Sequence, residues 1–359
     1  RLGSSKKTFN KESFRAYRKL PCSAKMKVCS NCFNDEEIKN FIISSSSNIA
    51  RCDCCENDDC VIDLSELYDF FIEFTELYCK DDDSSTDLIE ALTTQWNIFS
   101  SEKCAEQILG NLYEYGIIRY SANDKVRYID EILECTKVWN KLKEDVTTKS
   151  RFFSDITSFE WDSFIQPNDT LSKHKLLYRA RIIPDGTDKL TPSQMGCKTE
   201  KKTPAGRANP LGIPYLYLCD NEQTTLYETR SVYLDRVCIG TFRICRDLNI
   251  VNFNTVINPF YAFTDGSDTL RDSIKKRIII DSICKDLSKP LRRFDTELEY
   301  VPTQLICEYC KLNQADGIMF ASSLHPEGQN IVLFDPKDAK CTKVDYVEIN
   351  KVTISSTRL

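Results

Sequence analysis

The stretch GRANPLGIPYLYLCDNEQTTLYE, residues 206–228, joins three kinds of local structure in a short length of chain. Its opening is rich in glycine and proline and predicts a loop, and the apolar run that follows predicts a strand. After a polar turn, Thr224 is a suitable N-cap for a helix that begins there. Arg207, Tyr217 and Glu228 therefore stand on a loop, a strand and a helix start, where they can surround one cleft.

The composition limits the classes of protein to which the chain can belong. With 359 residues, of which 41% are hydrophobic and 28% charged, it has the size and character of a two-domain globular protein. Its net charge of -6 provides no overall basic field, so we expect no nucleic-acid partner. The sequence shows neither a membrane-spanning apolar run nor a signal-peptide core, which predicts a cytoplasmic protein without membrane association.

Cysteine and histidine have unusual frequencies in this chain. The 18 cysteines are spread over the whole length, unlike the disulfide framework of a short secreted protein. Reduced cysteines, some of them binding metal, are the better interpretation. The two histidines, His174 and His325, are too few for histidine-based acid–base chemistry in most of the chain.

Two C-x-x-C pairs about twenty residues apart have the spacing of a structural zinc knuckle, because each pair turns two thiolates toward one tetrahedral ion. The predicted ligands of a structural Zn²⁺ are Cys29, Cys32, Cys52 and Cys55. Cys54 and Cys60 are alternatives to Cys55, and Cys22 is a weaker candidate. The competing interpretation is that these are incidental cysteines in a cysteine-rich chain.

The predicted secondary structure changes near the middle of the chain, from mostly helices to a mixture of strands and helices. This predicts an α+β protein of two domains. Apolar residues at helical spacing occur at 63–78, 88–99, 101–115 and 126–144. Residues 1–155 therefore predict a zinc-stapled, mostly helical domain with its knuckle at 29–55. A linker at 156–171 leads to a mixed α/β domain at 172–359.

The second half alternates short strands, turns and helices. The predicted elements are strands at 175–183, 213–219, 236–244, 248–253, 317–323 and 331–334, and helices from 224, at 268–287 and at 300–310. The loop at 184–205 is long enough to be a binding loop or a lid. The tail at 337–359 alternates polar and apolar residues and can add an edge strand.

Five motifs of the second half occur in an order that resembles a RES domain. They are LYRAR at 177–181, GRANPLGIPYLYL at 206–218, T-x-x-x-E ending at Glu228, YVPTQ at 300–304 and GIMFASS…GQNIVLF at 317–334. The resemblance covers nearly all of residues 172–335. The N-terminal half resembles the HEPN-like extension of larger RES proteins. HEPN ribonucleases rely on an Arg-to-His motif, and since the first histidine here is His174, a ribonuclease in residues 1–155 is not expected.

The resemblance implies a compact mixed α/β fold related to ADP-ribosyltransferases and an enzyme that degrades NAD⁺, commonly as the toxin of a toxin–antitoxin pair. The catalytic residues it implies are Arg207, Tyr217 and Glu228. The residues it places around NAD⁺ are Tyr178, Arg179, Gly206, Asn209, Ser322, Ser323 and Asn330. It leaves open which serine acts, and Ser322 is favoured because it follows the end of a strand.

The chemistry of NAD⁺ cleavage suits these residue types independently. Nicotinamide leaves from a cationic ring, so no acid must protonate it, and a carboxylate such as Glu228 can stabilise the charge that develops on the ribose. Arg179 and Arg207 present planar forks suited to pyrophosphate. Tyr217 can stack on nicotinamide or orient a ribose hydroxyl. Taken singly, each has a plain alternative: an exposed arginine, a core aromatic or a solvated carboxylate near a helix start.

The acceptor and the biological setting stay open at this point. Water or inorganic phosphate can accept the ribose, and the candidate phosphate ligands are Lys201, Lys202, Arg292 and Arg293. Rival functions are ADP-ribosyl transfer to a protein and a non-catalytic NAD-sensing or partner-binding module. The expected setting is a toxin–antitoxin pair or phage defence. In that setting we expect a cognate antitoxin or a regulatory protein as partner. A homo-oligomer is a further option.

Overall fold

The chain divides into two compact units. The computed structural model describes residues 26–151, 165–184, 186, 188–197, 202–255, 257–266, 268–289 and 297–353. One unit comprises the described residues of Arg1–Ile132 and Ile257–Ile274, and the other those of Leu133–Val256 and Lys275–Leu359. Most of the predicted linker at 156–171 lies outside the described residues. The predicted domain limits at 155 and 172 stay a prediction.

The N-terminal unit is mixed rather than only helical. Its strands are Lys27–Cys29 (β1), Ile49–Arg51 (β2), Asp58–Asp63 (β3), Tyr78–Lys80 (β4) and Val126–Tyr128 (β5). Its helices are Glu36–Ser45, Tyr68–Thr75, Leu88–Glu90, Glu102–Glu114 and Pro259–Asp265, with short helical turns at Ser30–Cys32, Leu64–Leu67 and Ala91–Gln95. The strands form an antiparallel sheet of order β1-β3-β2 and a separate pair, β4-β5.

The helix predicted at 63–78 is shorter in the structure than the sequence predicts. The helix predicted at 126–144 begins a few residues later than predicted. In the first, a strand ends at Asp63, a helix covers Tyr68–Thr75 and β4 begins at Tyr78. In the second, β5 precedes the helix Asp130–Glu144. Tyr78 pairs with Tyr128, and their rings stack with centroids 4.7 Å apart. Because such short strands are stabilised by partners distant in sequence, local periodicity does not reveal them.

The C-terminal unit is built on an eight-stranded mixed sheet of order β13-β9-β7-β8-β12-β11-β10-β6. Its strands are Asp169–Leu171 (β6), Leu176–Ile183 (β7), Leu216–Cys219 (β8), Arg236–Ile244 (β9), Leu248–Asn252 (β10), Gly317–Ala321 (β11), Gln329–Leu333 (β12) and Ala339–Glu348 (β13). Its helices are Glu222–Glu228 and Val301–Leu312. The helices Asp130–Glu144 and Leu270–Ser288 belong to it from Leu133 and from Lys275 onward. The pair β10-β11 is parallel, and the other described pairs of this sheet are antiparallel.

Alternation along the strands gives the sheet two different faces. Leu216 and Leu218 of β8 belong to a buried apolar cluster with Leu177 and Phe242 on one face. Tyr217 and Cys219 therefore project from the other face. The predicted edge strand of the tail is confirmed, because β13 is the first strand of the sheet and pairs with β9.

The helix that follows β8 begins earlier than the sequence predicts. Asn221 is its N-cap, and the Asn221 side chain accepts a hydrogen bond from the backbone amide of Thr224 at 2.8 Å. The predicted cap, Thr224, is wrong, because Thr224 lies inside the helix and is fully buried. As a result, Glu228 is the last residue of the helix Glu222–Glu228 and not part of its first turn.

Across the described ranges, no helix combines the length and the apolar character needed to pass through a membrane.

Candidate functional site

The centre of the large sheet contains a crevice between two neighbouring strands. β7 pairs with β9 from Leu176 to Ile183, but its pairing with β8 is limited to Tyr178 opposite Cys219. The two strands diverge beyond this pair. The opening, here called the strand crevice, has a volume of about 360 Å³. Its lining includes Arg179, Arg181, Tyr215 and Tyr217.

A second opening, the main cavity, adjoins the strand crevice and shares Arg179 and Tyr217 with it. It has a volume of about 340 Å³, a size suited to part of a small-molecule ligand. A row of paired positions forms its floor across four strands: Tyr178, Cys219, Asn330 and Phe320. The predicted site residues that line it are Tyr178, Arg179, Arg207, Tyr217, Glu228, Ser323 and Asn330.

The carboxylate of Glu228 is held by two donors. Its Oε1 accepts hydrogen bonds from Ser322 Oγ at 2.6 Å and from Asn330 Nδ2 at 2.7 Å. Ser322 is 4% exposed, and its Oγ accepts from the backbone amides of Leu324 and His325. The Ser322 proton is thereby directed to the carboxylate, and Ser322 supports Glu228 from behind the cavity wall.

The sequence also allowed Glu228 to be a solvated carboxylate near a helix start. Its position at the end of its helix excludes that alternative. A carboxylate near a helix start is stabilised by the helix dipole, but at a C-terminal end the dipole opposes negative charge. The bonds from Ser322 and Asn330 offset that effect. Glu228 is therefore a carboxylate fixed by its tertiary surroundings, beside a cavity.

Tyr217 organises the loop that precedes β8. Its hydroxyl donates to Asn209 Oδ1 at 2.8 Å and accepts from the Ala208 amide at 3.0 Å. The buried Asn209 side chain also donates to the carbonyls of Pro204, Pro210 and Ile213. A Cβ on Gly206 would stand 2.7 Å from the Tyr217 hydroxyl, so this close approach requires glycine. Gly206 and Asn209 line the strand crevice and not the main cavity.

The YVPTQ motif holds the same loop from a distant helix. Thr303 Oγ1 donates to the Arg207 carbonyl at 2.7 Å, and Gln304 Nε2 donates to the Gly206 carbonyl at 2.8 Å. The guanidinium of Arg207 lies over the ring of Tyr300, 5.2 Å from its centroid. These contacts place Arg207 between the main cavity and a neighbouring opening of about 370 Å³.

Sequence reasoning missed Arg181, which stands beside Arg179 on the same face of β7. Arg181 donates to the Gly196 carbonyl, and its Nε, like Nη1 of Arg179, is buried without a hydrogen-bond partner among the described residues. Burial, followed by the charge of Arg179, lowers the pKa of Arg181. No carboxylate is among the described residues that line the strand crevice. The R-x-R spacing on a predicted strand is the signal that identifies this pair.

His325, one of the two histidines of the chain, contacts a neighbouring helix. Its Nδ1 lies 2.9 Å from Thr224 Oγ1, and its ring stacks on Tyr227 with centroids 5.0 Å apart. His325 is not among the residues that line the main cavity. Additional lining residues that sequence reasoning missed are Cys219, Thr225, Thr229, Arg230, Leu287, Ser288 and Lys289.

Two tyrosines of this region predict a loss of stability at high pH. Burial raises the pKa of Tyr217, and burial together with a 2.6 Å hydrogen bond to Glu308 raises that of Tyr215. In the unfolded chain both deprotonate near pH 10, while the folded state retains their protons. The contribution of these two tyrosines to stability is therefore constant below about pH 10 and falls above it, by about 1.4 kcal/mol per pH unit for each tyrosine.

Urea unfolding at a series of alkaline pH values measures this slope. We expect Tyr217→Phe to make the slope shallower by the contribution of one proton. An unaltered slope in Tyr217→Phe would contradict the assignment.

The four predicted metal ligands also come together, in the N-terminal unit. The sulfur atoms of Cys29, Cys32, Cys52 and Cys55 all lie within 4.8 Å of one another. Three of their separations are 3.8, 3.3 and 3.5 Å. Tetrahedral zinc with Zn–S bonds of about 2.3 Å requires sulfur separations of about 3.8 Å, so these residues fit such an ion.

The match to a known family concerns the C-terminal unit. Residues 176–352 match the family model described as the RES domain, from the start of β7 to just beyond β13. The resemblance to a RES domain is thus confirmed for these residues, while the HEPN-like extension stays a prediction. Among curated proteins, none matches the chain.

One similar solved structure is a chain of the M. tuberculosis MbcT–MbcA toxin–antitoxin complex, with 13% identity and a TM-score of 0.28. The match covers 50% of the present chain and 86% of that one.

Proposed function

We propose that the RES domain formed by residues 176–352 degrades NAD⁺ by cleaving the bond between nicotinamide and ribose. The observation that carries the proposal is the carboxylate of Glu228, fixed by Ser322 and Asn330 at the wall of a cavity that also contains arginines. A fixed anion beside a ribose is what this reaction needs. Family membership of the domain supports the same reaction.

Glu228 acts on the charge that develops as the bond lengthens. Nicotinamide departs as a neutral molecule, so the electrons of the breaking bond return to its ring and positive charge accumulates on the ribose. A carboxylate that is already oriented stabilises this charge without reorganising. The hydrogen bonds from Ser322 and Asn330 supply that orientation.

The aromatic and basic residues hold the remainder of the dinucleotide. The hydroxyl of Tyr217 already bonds Asn209 and Ala208, which favours stacking of its ring on nicotinamide over a bond to a ribose hydroxyl. Arg179 and Arg207 provide planar cations for the pyrophosphate. Arg179 also lines the strand crevice, and Arg207 also lines the neighbouring opening, which suits a ligand that extends beyond the main cavity.

The two serines are expected to differ in importance. Ser322→Ala removes a hydrogen bond to a charged group worth about 1.5–3 kcal/mol, which lowers the rate of NAD⁺ cleavage about 10- to 100-fold. Ser323→Ala has a much smaller effect, because the Ser323 hydroxyl donates to the Ser288 carbonyl and not to Glu228. Single-turnover rates of both variants make the comparison. Equal losses would refute the proposed role of Ser322.

We expect Arg181 to contribute to binding an inorganic phosphate acceptor. Of the candidates from the sequence, Lys201, Arg292 and Arg293 lie outside the described residues, and Lys202 is exposed. Arg181→Gln removes one charged donor, which raises the phosphate concentration for half-maximal NAD⁺ loss about tenfold. Arg243→Gln, on an exposed position of β9, is the matched control. An unchanged phosphate requirement in Arg181→Gln would remove Arg181 from the acceptor site.

The proposed function is tested by following NAD⁺ and its products with the purified chain, with and without phosphate. ADP-ribose 1″-phosphate as product identifies a phosphorylase, and free ADP-ribose a glycohydrolase. ADP-ribose attached to protein would instead identify a transferase. NAD⁺ that stays intact while the protein is folded and binds NAD⁺ would identify a non-catalytic sensing module.

The biological setting follows from the proposed reaction. Uncontrolled loss of NAD⁺ arrests growth, so the proposal places the protein in the cytoplasm as a toxin of a toxin–antitoxin or phage-defence system. Such an activity requires a cognate antitoxin or another regulatory protein to restrain it. The family of the domain supports this setting.

A further inference from the structure

The N-terminal unit contains a second group of cysteines next to the predicted zinc knuckle. The sulfur atoms of Cys32, Cys54 and Cys104 lie within 4.8 Å of one another, and all three residues are buried. Cys104 comes from the first turn of the helix Glu102–Glu114, far along the chain from the two C-x-x-C turns. The fold thus brings a separate element to the cluster.

Cys32 belongs to both groups of sulfur atoms. It lies near Cys29, Cys52 and Cys55 on one side and near Cys54 and Cys104 on the other. A thiolate has lone pairs for two metal ions and can bridge them. Cys52, whose sulfur is 3.5 Å from that of Cys32, belongs to the first group and not to the second.

We propose that six cysteines of the N-terminal unit form a binuclear metal–thiolate cluster that holds two Zn²⁺ ions. One ion is bound by Cys29, Cys52 and Cys55, the other by Cys54 and Cys104, and both share Cys32. The first ion then has four sulfur ligands, the number that structural zinc requires, and the second has three, the number of protein ligands of zinc sites that keep one further position. Each cysteine loses its thiol proton to solvent when the metal binds.

The charge balance favours the second ion. One Zn²⁺ with four thiolates has the same net charge as two Zn²⁺ with six, so the larger cluster buries no additional net charge. The alternative is that Cys54 and Cys104 are small apolar side chains of the core. Packing in the core does not require the sulfur atoms of Cys54 and Cys104 to lie close to that of Cys32, which is a predicted zinc ligand.

The metal content of the purified full chain tests the proposal. We expect two zinc ions per chain by elemental analysis, one in Cys104→Ser, and two in Cys79→Ser, a half-buried cysteine of β4 outside the cluster. One zinc ion per wild-type chain after reconstitution with excess Zn²⁺, or two in Cys104→Ser, would overturn it.

A second measurement does not depend on the folding of any variant. In the ¹¹³Cd-substituted wild-type chain, the shared thiolate of Cys32 gives two cadmium resonances that are coupled to each other. A single resonance, or two without coupling, would contradict the shared sulfur atom.

Discussion

Glu228→Gln is expected to lower the rate of NAD⁺ cleavage by about 10²–10³-fold, the usual effect of removing one preorganised electrostatic group from an active site. The substitution preserves the size of the side chain and an oxygen that can accept from Ser322 and Asn330. It removes the charge and replaces the other carboxylate oxygen with an NH₂ group. Because that charge acts on the transition state, the loss should appear in kcat with little change in the affinity for NAD⁺.

The matched control for this experiment is Glu222→Gln, an exposed carboxylate at the opposite end of the same helix. It should retain the wild-type rate. Binding of NAD⁺ to Glu228→Gln, measured by calorimetry, distinguishes a loss of chemistry from a loss of the site. A Glu228→Gln variant that cleaves NAD⁺ at the wild-type rate would contradict the proposed role of this carboxylate.

Removal of metal is expected to unfold the region of β1–β3 in the N-terminal unit. This sheet has three strands, two of them only three residues long, which are too short to form a stable sheet alone. Zinc contributes about 10–16 kcal/mol to folding in zinc-finger peptides, comparable to the whole stability of a typical domain at about 5–15 kcal/mol. We therefore expect that the metal decides whether these strands form.

Hydrogen exchange of the chain before and after treatment with a strong chelator measures this effect. Amides of residues 27–63 should lose their protection and regain it when Zn²⁺ is returned, while those of β9 and β10 in the other unit serve as the internal reference. Protection that persists at 27–63 after the metal has been removed, as verified by elemental analysis, would be incompatible with a structural role for zinc.

Elements with a long, regular pattern could be predicted from the sequence. The strand predicted at 236–244 is β9, and the helix predicted at 268–287 corresponds closely to Leu270–Ser288. In both, the apolar positions repeat over enough residues for the period to be clear. The sequence also predicted that Arg207, Tyr217 and Glu228 surround one cavity, because the three lie close together in sequence on successive elements.

The features that could not be predicted depend on contacts between distant parts of the chain. Strands β4 and β5 are each three residues long and exist because they pair with each other. The orientation of Glu228 depends on Ser322 and Asn330, which no local pattern connects to it. The N-cap was predicted wrongly because Asn221 and Thr224 are both good capping residues, and the sequence alone does not choose between them.

The dependence of the site on late parts of the chain has a consequence for synthesis on the ribosome. Arg207 is held in place by Thr303, and Glu228 is oriented by Ser322 and Asn330, so the first half of the RES domain emerges before the candidate site can be assembled. A nascent chain that has not reached β12 lacks the donors that orient the carboxylate. Under the proposed function, the nascent chain therefore cannot cleave NAD⁺ before β12 has emerged, and that interval is time in which an inhibitor can be made ready.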